Sequence, residues 1–248
     1  MPDDVSPLVS LVRKLGSRSR LDDEDVAAIM ALPYVRRTFE AASYIVREGE
    51  PPRKRCSFVV SGYAFRQKLT VQGTRQIVSL HMAGDLLDLQ HLFLKRADHN
   101  VQALTRLESA EIDREALRAL ALERPAIGEA MWVDALIDAS IFREWVMNIG
   151  RRDARSRIAH LICEFAARMD AAGLSIGDRY ELPMTQEQIG DATGLTSVHV
   201  NRTLKSLATD GLVHREKRYL TFANRERIKA IADFSTLYLH LDQTEQIA

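Results

Sequence analysis

Cysteine is almost missing from this sequence. Two thiols in 248 residues, Cys56 and Cys163, are too few for a disulfide framework, a four-thiolate cluster or a structural zinc site. Net charge is missing as well: 34 Lys and Arg stand against 34 Asp and Glu. A basic coat is excluded, and any nucleic-acid surface must be local. No uncharged run exceeds ten residues, Val26 to Val35 being one, about half of what a bilayer span needs. The start, Met1-Pro2-Asp3-Asp4, is acidic and lacks the apolar core of a secretory signal. These absences lead us to expect a reduced, cytoplasmic protein with no membrane partner. What is present is the balance of a soluble globular chain, 46% hydrophobic and 27% charged, long enough for one large domain or two modest ones.

Residues 1 to about 32 carry helical periodicity, with Asp22 placed to cap a helix ending before Pro33. From Tyr34 to about Asp113 the texture changes. Short β-branched or aromatic runs (Tyr44-Ile45-Val46, Ser57 to Val60, Gln76 to His81) alternate with Gly- and Pro-rich punctuation about every ten residues. That spacing predicts a small antiparallel barrel or roll.

The longest helix expected spans Pro125 to Ile149 and carries two apolar stripes. One is Ala130, Val133, Ile137, Ile141 and Trp145; the other is Trp132, Leu136, Ala139, Phe142 and Val146. A single stripe would dock the helix on its own domain. Two stripes imply burial on two sides, by a parallel helix of a second subunit or by a large core. We assign Val133, Ile137, Ile141 and Trp145 to the subunit contact and expect a hinge at Asn148 to Arg152.

The most informative stretch runs from Leu182 to Lys205. Thr185 and Gln188 form a capping box at the head of a short helix, Gly194 permits a tight turn, and Thr196 caps a second helix. Val200, Leu204 and Leu207 face inward. This is a helix-turn-helix whose second helix would enter a major groove of double-stranded DNA. Ser197, Val198, Asn201 and Arg202 are the expected base readers. Arg202 can bond a guanine bidentately, whereas Val198 can offer only apolar contact. Thr185, Gln186, Thr196, His199, Lys205 and Lys217 are the expected phosphate contacts. Gly211 to Phe222 reads as a two-stranded wing.

These residues resemble the Crp/Fnr family of bacterial transcription regulators. Leu182 to Gly190 and Asn201-Arg202-Thr203-Leu204 look like its DNA-binding signature. Glu48-Gly49-Glu50, Phe58 to Gly62 and Ala83-Gly84-Asp85 look like its cyclic-nucleotide-binding-type roll. The resemblance implies an α+β fold: an N-terminal antiparallel β-roll with flanking helices (1–125), a dimerisation helix and hinge (126–152), a winged helix-turn-helix (153–234) and a tail (235–248). It also implies a homodimer on pseudo-palindromic DNA, with RNA polymerase as a further candidate partner.

The sequence departs from the family where members that bind cyclic AMP hold its phosphate. Asp88, Gln90, Asp98 and His99 occupy the matching stretches, and Arg96 could substitute for the usual arginine only if its loop shifted by one residue. An acid at a phosphate site is unfavourable, because like charges would share a partly buried space. We therefore expect an effector other than cyclic AMP, or none, and no cofactor or metal. His81, His91 and His99 lie near the pocket but are more simply solvated or hydrogen-bonded than ligating. No nucleophile motif or phosphate loop groups the Ser, His and Asp residues, so catalysis is not expected. The rival reading is a small-molecule-binding module whose helix-turn-helix serves protein contacts.

Overall fold

The computed structural model describes residues 6–175, 177–216, 218–241 and 243. Two compact units emerge, one of residues 6–68 and 79–138, the other of residues 69–78 and 139–241.

In the first unit, α1 (Leu8–Gly16) and α2 (Asp23–Met30) precede the sheets. Asp22 caps α2 as expected: its carboxylate accepts from the Asp25 amide at 2.8 Å, and Asp25 returns the bond to the Asp22 amide. Seven strands follow, β1 (Tyr34–Phe39), β2 (Tyr44–Val46), β3 (Arg55–Ser61), β4 (Ala64–Leu69), β5 (Arg75–His81), β6 (Asn100–Ala103) and β7 (Leu107–Asp113), of which the end of β4 and the first half of β5 fall in the second unit. They form one sheet in the order β1-β7-β3 and another in the order β2-β6-β4-β5, which is the expected roll. Phe39, Ile45, Val59, Ala64, Leu87, Val101 and Leu107 fill its interior. A second cluster joins Leu8, Leu11, Leu15 and Ile29 to Phe58, Ile112 and Leu117. Here α3 (Arg114–Glu123) and the first turns of α4 (Pro125–Arg151) also pack.

The helix α4 corrects two expectations. It runs through Gly150 to Arg151, so the turn before the next helix is confined to Arg152 and Asp153. Asn148 to Gly150, expected in a break between helices, are helical, since an isolated glycine is tolerated inside a helix that tertiary contacts support. The stripe assigned to a partner subunit is also the wrong one. Ile137, Ile141 and Trp145 are buried in the chain's own interior, and Val133 is half-buried. The stripe left in solvent is Trp132, Leu136, Phe142 and Val146, with Trp132 71% exposed.

The second unit is built on α5 (Ala154–Ala171), buried almost continuously from Ile158 to Ala166. Around it lie β8 (Arg179–Glu181), α6 (Gln186–Thr193), α7 (Ser197–Thr209), the wing strands β9 (Val213–Glu216) and β10 (Tyr219–Phe222), and α8 (Arg225–Ala232). The order β8-β10-β9 makes the wing a three-stranded sheet. Cys163 sits inside α5, and its thiol is pushed up to about 12 by burial. Cys56, in β3, is equally enclosed, so neither is a reactive thiolate.

A buried polar network closes this unit. Trp145 Nε1 donates to both carboxylate oxygens of Glu164 at 3.0 Å, and the Tyr238 hydroxyl donates to Glu164 Oε2 at 2.8 Å. His160 stacks on Tyr238 and takes Phe234 edge-on, with its Nδ1 3.3 Å from the Ala232 carbonyl. The tail therefore packs back through Phe234 and Tyr238, while Leu237 stays 80% exposed.

Burial lowers His160 from 6.5 to about 4. Between those values the unfolded chain binds the proton that the fold refuses. Stability from this group is complete above about pH 6.5 and is lost as pH falls toward 4. The wild-type thermal midpoint is expected to drop across that window by more than that of His160→Gln. Parallel drops in both proteins would remove His160 as the cause.

Candidate nucleic-acid interface

Local chemistry sets the helix-turn-helix. Thr185 Oγ1 accepts from the Gln188 amide at 3.2 Å, and the Gln188 side chain accepts from the Thr185 amide at 2.8 Å, closing the capping box on α6. Gly194 ends α6 at φ +69°, a left-handed conformation that glycine adopts at little cost. Gly190 has an ordinary helical conformation, but a Cβ there would lie 2.4 Å from the Leu195 carbonyl oxygen. The close approach of α6 to the turn therefore requires glycine. Thr196 Oγ1 accepts from the His199 amide at 3.3 Å and starts α7. Val200, Thr203, Leu204 and Leu207 are buried, as the expected inward face requires. Arg157, not anticipated from sequence, pins the turn: it donates to the carbonyls of Thr193 at 3.2 Å and Arg152 at 2.8 Å.

The outward face of α7 opens on a cleft of about 470 Å³ lined by Gln186, Ser197, Val198, Asn201, Arg202 and Lys205. All four expected base readers and two of the expected phosphate contacts thus share one surface. Thr185 and Thr196 serve as caps, their oxygens occupied by backbone amides. His199 is half-buried and does not line the cleft. Lys217 lies outside the described residues.

No acid occurs on α7, and two of the acids flanking it are paired. Asp210, at its C-terminal cap, pairs with Arg155 at 2.6 Å. Asp191 on α6 pairs with Arg75 at 2.6 Å. Arg202 and Lys205 are exposed and make no ion pair among the described residues. The result is a local cationic face on a chain of zero net charge, and the sequence could not show that the flanking acids were occupied.

The expected effector residues do not form one constellation. Gln90 donates to His99 Nε2 at 3.1 Å, and His99 Nδ1–H donates to Asp98 at 2.6 Å. Burial lowers the pKa of His99, in keeping with this neutral ring. Arg96 is exposed and donates to the Gly49 carbonyl at 2.9 Å. Asp88 is fully buried, accepts from the Ser57 amide at 2.9 Å, and burial pushes it up to about 7. A further ion pair, half-buried Arg53 with buried Glu111 at 2.6 Å, has no mark in the sequence. A cyclic phosphate does not fit these groups: Arg96 is committed elsewhere, and Asp88 is an acid with one oxygen already unpartnered.

A β-roll followed by a capped, winged helix-turn-helix with a cationic reading face defines a DNA-binding transcription regulator. Comparison with known proteins agrees. Residues 36–124 match the cyclic nucleotide-binding domain, and residues 156–231 match the Crp-like helix-turn-helix domain. The transcriptional activator protein FnrL of Cereibacter sphaeroides is 27% identical over 214 residues, 85% of each chain. The fumarate and nitrate reduction regulatory protein of Salmonella typhimurium is 26% identical over 172 residues, 69% of this chain and 68% of that one. The fold matches FixK2 from Bradyrhizobium japonicum with a TM-score of 0.75 at 24% identity, covering 82% of this chain and 100% of that one. Both domains of a Crp/Fnr-type transcription regulator are thus matched within this one chain.

Two glycine substitutions separate the turn from the helix. Gly190→Ala is expected to cost about 1–3 kcal/mol through the clash with the Leu195 carbonyl. Gly150→Ala, within α4 and open to solvent, should stabilise by roughly 0.5–1 kcal/mol. Thermal unfolding monitored by circular dichroism distinguishes them, and equal effects would contradict the geometry.

Proposed function

We propose that the protein acts as a homodimer, each α7 entering the major groove of one half-site of a pseudo-palindromic operator. The observation that carries this reading is the acid-free face of α7, with Arg202 and Lys205 making no ion pair among the described residues and lining one cleft with the other expected base readers. Arg202 bonds a guanine, and Lys205 and Gln186 hold phosphates.

The second copy covers the exposed α4 stripe of Trp132, Leu136, Ala139, Phe142 and Val146. Large apolar side chains repeated at helical spacing in water mark a contact surface. The roll senses a signal other than a cyclic phosphate and biases how the two long helices pack. Contact with RNA polymerase converts occupancy into a transcriptional effect. The protein works in the cytoplasm, where its DNA lies, and we assign it no catalytic step, since the relatives that match it are regulators.

Arg202→Ala is expected to weaken the selected operator by about 1–3 kcal/mol and relax one base position. Lys205→Ala should weaken all sequences alike and reduce the salt slope by about 1. Fluorescence anisotropy on specific and random duplexes checks both, and equal losses for Arg202→Ala on the two DNAs would reject its assignment. Leu136→Glu should give a folded monomer by light scattering, and a dimer that persisted would move the contact off this stripe.

A further inference from the structure

Val198 is 78% exposed, and among the described residues of α6 and α7 it is the one large apolar side chain in solvent. Nothing in the fold explains it. A β-branched residue is a poorer helix former than alanine, and an exposed one recovers nothing by packing. Its companions in the cleft, Gln186, Ser197, Asn201, Arg202 and Lys205, are all polar or charged. It sits in the first turn of α7, the part of a recognition helix that reaches base edges.

We propose that Val198 is a specificity-determining residue that selects a thymine through its C5 methyl group. This rests on the DNA-binding reading above and adds the base that the helix's apolar position recognises. In the major groove, cytosine and adenine present an amino donor and guanine presents acceptors. Against any of these a valine leaves a polar edge desolvated and unpaired. Thymine alone among the unmodified bases offers an apolar group. With no carboxylate on α7, the helix has no acceptor of that kind for a cytosine amino group either.

Helical geometry also limits where that thymine lies. Arg202 is four residues from Val198, about 6 Å along the axis. Base pairs are spaced about 3.4 Å apart, so the thymine falls one or two base pairs from the guanine that Arg202 bonds.

The test begins with selection of the purified protein on a random duplex library, and Arg202→Ala then identifies the guanine position. Each thymine within two base pairs of it is next replaced, in both half-sites, by deoxyuridine, which removes only the methyl. Burial of one methyl is worth about three- to five-fold in affinity, so two half-sites predict a loss of roughly nine- to twenty-five-fold. Val198→Ser, which replaces the apolar group by a hydroxyl at similar helix propensity, should bind the thymine and uracil operators equally well. An enriched motif with no thymine in that window, or wild-type binding indifferent to every uracil, would overturn the role of Val198 and leave the DNA reading standing. If no motif were enriched, the DNA reading would fall, and this inference with it.

Discussion

The buried carboxylate of Glu164 governs how the second unit holds together. It accepts Trp145 of α4, lies 3.8 Å from Arg168 of its own helix, and receives Tyr238 from the tail. A carboxylate that has lost its water is costly unless each oxygen is met, and here two segments from outside its own helix, α4 and the tail, converge to meet it. The helix that carries it, α5, is also the one on which α6, α7 and α8 pack. The position of the reading face therefore depends on a group that touches no DNA.

What was legible in the sequence was what short-range chemistry decides. Asp22, Thr185 and Thr196 cap the helices they were expected to cap, and Gly194 takes the left-handed turn. Such features need only neighbours within four residues, and the alternation of strands and turns in the roll is similarly local. The elements that escaped have weak local signals. At three residues, β8 is defined by pairing with β10, and α8 has only Ile228 and Ala232 buried among charged neighbours. In α8 the capping Asn224 was the one available mark.

The α4 stripes show a different limit. Both were visible, but which one meets the chain's own core depends on where α5 and the flanking helices sit, and periodicity has no access to that. The effector residues failed for a related reason. Counting back along an ungapped loop gave neighbours in number, whereas the folded loop turns Arg96 toward Gly49 and Asp88 toward Ser57.

On α7 the labour is divided cleanly between two faces. Val200, Leu204 and Leu207 carry the packing, and Ser197, Val198 and Arg202 stand in solvent. Substitutions on the outer face can alter the message read while leaving the scaffold's stability nearly untouched. A lineage carrying this helix can thus explore new operators by single replacements without passing through unfolded intermediates. The same separation makes the helix a cassette for engineering, in which the inner residues are kept and the outer ones are rewritten.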